Sequence, residues 1–264
     1  MSNEQIVNNP FLYINGLKIT NDATTPNTIV DVAAGICRDS TNVYDMNLGN
    51  FGGANPNIAA NTASTVSIAV NGVNGLDTGT VAASTFYAVF VIQDPLNRPQ
   101  YQPALLLSKS WTAPLMPQGY AIFRRIGAVL TDGSSHILLQ YQEAGNINNR
   151  YVQYDAPIAV TVTASGTSAT YSAMDLSVAV PLTNFGRTMI KMKWTNNAAS
   201  DTANFTPTGG TGDYATFIGQ VAGVALEDQF EILPLVASSK PEVSYKVSAG
   251  TLNNVWVAGY VDLL

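Results

Sequence analysis

The chain has 264 residues, of which 12 are Lys or Arg and 18 are Asp or Glu, so 11% carry charge and the net charge is −6. An ordinary soluble domain is about 25% charged, and nucleic-acid binding needs clustered cations against phosphates, so the balance argues against a nucleic-acid partner. The single cysteine, Cys37, rules out an intrachain disulfide and any cysteine-ligated zinc or iron–sulfur centre, and it reads as a small buried hydrophobe in a strand.

Residues 1–9 are expected to form an arm that orders only against a neighbour. The opening MSNEQIVNNP is polar, and no apolar run reaches the length of about 18 residues that a membrane span needs. The expectation is a chain made and folded in a cytoplasm, with no membrane insertion. Next, Asn15-Gly16 separates Phe11–Ile14 from Leu17–Ile19, the pattern of a hairpin with a type I′ turn. Asn71-Gly72, Asn74-Gly75 and Asp132-Gly133 repeat the device. Phe86–Ile92 (FYAVFVI) and Ala104–Leu107 (ALLL) are continuous apolar runs and are expected to be central strands covered on both faces.

A corner set by Pro117 and Gly119 launches the strand Tyr120–Thr131, in which Arg124 and Arg125 must point to opposite sheet faces. One of these guanidinium groups is expected to pair across a domain or subunit interface. Asp155-Ala156-Pro157 then separates the strand Arg150–Tyr154 from the strand Ile158–Thr163. Beyond it, Ile190, Met192 and Trp194 alternate with Lys191 and Lys193, and Val243, Tyr245 and Val247 alternate with Ser244, Lys246 and Ser248. No segment carries a helical period with caps. The fold class is therefore all-β, with two antiparallel β-sandwich or jelly-roll-like domains at 1–155 and 156–264.

Few residues are placed for chemistry. His136 is the only histidine; it follows the Asp132-Gly133 turn, and no G-x-S-x-G elbow accompanies it. Glu227, Asp228 and Glu231 form the densest acidic cluster, but adjacent strand residues face opposite ways, and the segment reads as a loop entering the strand Phe230–Val236. Asp39 and Asp45 flank Ser40–Tyr44 and fit side-chain capping of a turn. Gly209-Gly210-Thr211-Gly212 lacks the Lys-Ser/Thr of a phosphate loop and precedes a strand, so it reads as a β-loop. Asn204-Phe205-Thr206 matches a glycosylation sequon by accident. Trp194 and Trp256 lie in apolar strands and are expected in the core, whereas Trp111, in the Pro-bounded loop Ser108–Pro117, is expected to anchor an interface with another subunit or a ligand. The candidate interface residues are thus Trp111, Arg124 and Arg125; no catalytic residue, metal or cofactor is expected.

Three phrases in order, Asp31–Thr41 (DVAAGICRDST), Val70–Ser84 (VNGVNGLDTGTVAAS) leading into Phe86–Ile92, and Ala113–Thr131 (APLMPQGYAIFRRIGAVLT), resemble a module of tail-fibre and head-fibre-like virion proteins of tailed bacteriophages. The resemblance spans residues 10–155, and Ala173–Pro181 with Val243–Leu264 is similar to a companion β-domain of such proteins. It implies a structural component of the particle, on capsid or tail, that is a homotrimer and contacts other virion proteins. Two other functions compete with assembly: recognition of a host surface glycan through aromatic and amide side chains, and glycan cleavage. A surface of Asn, Thr, Ser and Ala in place of charge suits assembly, because neutral groups lose little on desolvation.

Overall fold

The computed structural model describes residues 12–53, 61–96, 98, 102–144, 149–162, 166–237 and 239–264. The expected arm at residues 1–9 lies outside them. Among the described residues every regular element is a strand, apart from a 3₁₀ turn at Phe51–Gly53. The chain is all-β, and it divides into two compact units, Met1–Arg150 with Leu264, and Tyr151–Leu263.

The first unit contains β1 (Ile14–Gly16), β2 (Ile19–Asn21), β3 (Ile29–Val32), β4 (Gly35–Arg38), β5 (Asp45–Leu48), β6 (Ser64–Ser67), β7 (Gly75–Leu76), β8 (Phe86–Gln93), β9 (Ala104–Ser108), β10 (Ile122–Leu130) and β11 (Gln140–Ala144). They form sheets ordered β1-β4-β5, β10-β8-β9-β7 and β11-β2-β3-β6. Among the described residues the strand pairings are antiparallel except β7 with β9, which is a departure from the expected wholly antiparallel fold. Here Asn74 accounts for the exception: its side-chain carbonyl accepts from Leu105 N–H at 2.9 Å while its own N–H donates to Leu105 C=O, which lays the two-residue strand alongside β9.

β8 and β9 are buried along almost their whole length, as their unbroken apolar runs require. Tyr87, Val89 and Val91 turn one face toward a core shared with Ile19, Val32, Cys37, Met46 and Ile126. Ala88, Phe90 and Ile92 turn the other face toward Ala104 and Leu106, and Trp111, Met116, Tyr120 and Phe123 pack over that side. The loop after β9 is therefore the lid of a second hydrophobic layer.

The Asn15-Gly16 hairpin does not form. β1 pairs with β4, while β2 pairs with β3 and β11, so the chain changes sheets at this point. Gly16 (φ 73°) and Leu17 (φ 56°) both sit in the left-handed region. A Cβ on Gly16 would stand 2.4 Å from Ala34 O, so glycine is used for a crossing of two backbones and not for a hairpin tip.

The second unit contains β12 (Asn149–Val160, whose first two residues belong to the first unit), β13 (Ser172–Asp175), β14 (Phe185–Thr195), β15 (Thr202–Pro207), β16 (Ala215–Ile218), β17 (Ala225–Ile232), β18 (Leu235–Ala237), β19 (Lys240–Val247) and β20 (Thr251–Leu263). One sheet runs β17-β14-β20-β12 and the other β13-β19-β15-β16, with β18 also on β19. Ile190, Met192 and Trp194 of β14 are fully buried, as are Phe205, Val243 and Tyr245 of the facing sheet. The Phe205 and Phe230 rings meet at 4.7 Å between the two sheets, which makes the unit an antiparallel sandwich.

The strand expected to end at Tyr154 instead continues to Val160, through Asp155-Ala156-Pro157, and the division between units falls at Arg150/Tyr151. From Asp155 to Ala159 the strand has no buried residue, and the φ that proline imposes is compatible with an extended chain, so Pro157 does not break it.

Candidate functional site

Arg125 lies opposite Phe90 and Arg124 opposite Val91, so the two guanidinium groups leave opposite faces of the β8–β10 pair. Both residues are buried. Arg125 stacks on Trp111, with the guanidinium carbon 4.8 Å from the ring centroid, and the Phe86 ring tilts against the same indole at 6.4 Å. Asp77 fixes the loop that presents Trp111: its carboxylate accepts from Ser108 Oγ at 2.5 Å and from Leu115 N–H at 3.0 Å. Trp111 is half-buried and engaged inside its own unit, where it closes the second hydrophobic layer.

On the other face Arg124 lies beside Cys37 and Asp39, and its Nε and Nη2 have no hydrogen-bond partner among the described residues. Burial pushes the Arg124 pKa down and the Cys37 thiol up to about 12, so the thiol stays protonated and unreactive.

The turn between Asp39 and Asp45 is built as capping requires. The Asp39 carboxylate accepts from the N–H groups of Thr41, Val43 and Tyr44 and from the Thr41 hydroxyl. Burial works to raise its pKa, but these hydrogen bonds outweigh that and hold it below the ordinary carboxylate range. Asp45 meets Arg38 at 3.4 Å. The turn also docks on β10, with Ser40 N–H donating to Phe123 C=O at 2.8 Å.

His136 is exposed, and its Nδ1 is 3.6 Å from Asp132. Asp132 is occupied in closing its own loop, accepting from the N–H groups of Ser134 and His136. In the second unit, Glu227 reaches Lys193 at 3.2 Å and Lys191 at 3.9 Å on the outer face. Asp228 pairs in register with buried Met192 and so turns the other way. These acids stand within β17 itself, where the sequence suggested an entering loop, and the strand ends at Ile232 before Leu233-Pro234. They do not converge on a common point. Trp194 is in the core as expected, its Nε1 donating to Ala249 C=O at 3.3 Å. Trp256 is not: it is half-buried on the outer face, with Lys191 Nζ 5.8 Å from its ring centroid, because it alternates out of phase with Val255 and Val257. The Gly209–Gly212 run connects β15 to β16, and Asn204 is buried inside β15, where no glycan could reach it. Among the described residues, no group of three or more His, Cys, Asp and Glu is placed to hold a metal, and no helix is long and apolar enough to cross a membrane.

Two surfaces stand out that the motifs do not mark. In the first unit a groove of about 230 Å³ lies between the β2–β3 turn and β11, bordered by Asn21, Asp22, Pro26, Leu139 and Tyr141. Tyr141 is 57% exposed. In the second unit β16 and β17 are terminal strands of their sheets, and Tyr214 just before β16, Ile218 on it and Val221 and Val224 between the two strands are exposed, as are Leu233, Leu235 and Val236 beyond β17. Phe217 and Phe230 close the sandwich at this side, with centroids 5.2 Å apart, and both remain partly open. Sequence periodicity missed this rim because its apolar residues fall on short strands and on the loops between them.

No family model matches the chain, and no curated protein sequence matches it. Among solved structures it is similar to a carbohydrate-binding module from Cellvibrio mixtus lichenase 5A in complex with cellotriose, at 14% identity and a TM-score of 0.22, covering 48% of this chain and 87% of the module. A Bacillus thuringiensis Cry1Da tryptic core variant aligns over 96% of this chain and 51% of its own length, at 9% identity and a TM-score of 0.18. Likenesses this distant bear on neither partner nor ligand.

Proposed function

We propose that this chain is a non-enzymatic structural component of a tailed-bacteriophage particle, a head fibre, capsid decoration or tail-associated protein, acting through protein–protein assembly as a homo-oligomer. One observation carries the assembly reading: the rim of the second unit leaves Tyr214, Ile218, Val221 and Val224 at 49%, 51%, 60% and 56% exposure in a chain with few charges to solvate its surface. Burying such side chains stabilises by about 1.5–3 kcal/mol each when complete, and a contiguous patch of them is what an association surface presents. The phage context, and the trimer that goes with it, rest on the resemblance of residues 10–155 to fibre-like virion proteins.

Immunogold labelling of particles purified from a host lysate producing the chain tests the proposal. Label on the capsid or tail is the expected result; a chain recovered only in the particle-free fraction overturns it.

The groove beside Tyr141 favours a second reading, a host-glycan contact, because an exposed aromatic ring borders it as a stacking face and the carboxylate of Asp22 lies at the same rim. Titrating host surface polysaccharide into the purified chain should show binding that Tyr141→Ala weakens about tenfold. No binding to the unmodified chain removes this reading and leaves the first untouched.

A further inference from the structure

The rim of the second unit contains two terminal strands with opposite chemistry. β17 carries Glu227, Asp228 and Glu231. An antiparallel pairing of β17 with a second β17 sets Asp228 against itself when centred there, and Glu227 against Glu231 when centred on Gln229. Like charges facing each other across a ladder are destabilising, so this edge is guarded against its own copy. β16 (ATFI) has no charge, no proline and no bulge.

Among the described residues the backbone of β16 has one side to spare. Thr202 uses both its N–H and its C=O on Ser248, on the β19 side, so the alternate residues Ala203 and Phe205 of β15 face β16. Their partners Phe217 and Ala215 answer them, and the polar groups of Thr216 and Ile218 point away from the sheet. The Gln220 side-chain amide reaches Ile218 C=O at 3.4 Å, a long contact from an exposed neighbour.

We infer that β16 is a seam through which two copies of this chain pair edge to edge, antiparallel, with Thr216 opposite its own mate. Tyr214 precedes the strand, with its N–H tied to Phe205 C=O at 2.9 Å, and its exposed ring stands at the end of the seam where the half-exposed Ile218 of the other copy arrives. Thr–Thr and aromatic–β-branched pairs are favourable cross-strand neighbours, and no like charges meet. Asp213 is already neutralised by Lys246 at 2.9 Å, so the seam imports no unpaired charge. The contact is isologous and adds a two-fold axis to whatever rotation generates the oligomer. This names a partner for the assembly reading above and rests on it.

Thr216→Cys tests the register directly. Opposed residues in such a pair have Cα atoms about 5.5 Å apart, within disulfide range. The only native thiol, Cys37, is fully buried and does not compete. Mild oxidation of the purified full chain at micromolar concentration is expected to convert T216C into a disulfide-linked dimer on a non-reducing gel, while Q229C on the guarded β17 edge stays monomeric. Ile218→Lys is expected to halve the mass measured by light scattering. Equal crosslinking of T216C and Q229C, or an unchanged mass for I218K, overturns the seam. Particle labelling is read separately, so the seam can fail with the assembly proposal standing, and the reverse.

Discussion

Asp39 shows how much one carboxylate can organise in a chain that has few. It accepts three backbone N–H groups and a hydroxyl, and thereby shapes the turn that docks on β10. Asp39→Asn leaves part of that set poorly paired, and urea unfolding at pH 7 should show a loss of about 1–3 kcal/mol. Because its folded-state pKa is depressed, the stability it contributes is fully present above about pH 4, the unfolded value, and is lost as pH falls through the lower folded value. Stability measured from pH 5 down to pH 2 should therefore fall less steeply in the Asn variant. Trp111 also acts locally. Arg125→Lys keeps the charge but loses the flat face that stacks on the indole, which should cost about 1 kcal/mol, and Trp111→Ala should cost about 2–4 kcal/mol by uncovering the second hydrophobic layer. Thermal unfolding followed by tryptophan fluorescence measures the first, and by circular dichroism the second.

At the level of strands, adjacency in sequence is a poor guide to pairing. β1 and β2 are separated by Leu17 and Lys18, yet they belong to different sheets, and Gly16 at the end of β1 serves a backbone crossing. Gly16→Ala should therefore be far more disruptive than an alanine in an open turn such as Gly79, where a Cβ meets nothing within 4 Å. Both substitutions share the strain of a positive φ, so the difference between their denaturation midpoints isolates the clash with Ala34, expected to be at least about 2 kcal/mol. What the residues did announce is each strand's own face. The alternation of Ile190, Met192 and Trp194 with Lys191 and Lys193 is preserved in β14, and the unbroken runs FYAVFVI and ALLL lie in β8 and β9 with both faces covered. Trp256 departed from expectation because an aromatic in a mostly apolar strand can take the outer face, where Lys191 lies over its ring.

For the whole molecule, charge is sparse and spent on particular tasks: closing turns at Asp22, Asp39 and Asp132, stacking at Arg125, and guarding the β17 edge. The described ion pairs outside these are mostly exposed, as with Lys240–Asp175 and Lys246–Asp213, and exposed pairs contribute little. The midpoint of thermal unfolding is accordingly expected to move by no more than about 2 °C between 0.05 and 0.5 M NaCl, whereas a fold held by surface ion pairs would lose stability as salt screened them. A steep salt dependence in differential scanning calorimetry would contradict this account of where the charges act.

Composition, turn chemistry and strand periodicity by themselves determined that the chain is all-β, that it is sparing of charge, and that Cys37, Trp194 and the two apolar runs lie inside. These properties depend on each residue and its near neighbours, which a sequence displays. Tertiary structure alone decided that β1 pairs with β4, that Trp111 lies on Arg125, that the acids of β17 do not converge, and that β16 ends its sheet with an uncharged open edge. The physical reason is that strand pairing in a β-protein joins segments distant along the chain, so the partner of any edge, or its lack of one, is a property of the folded whole.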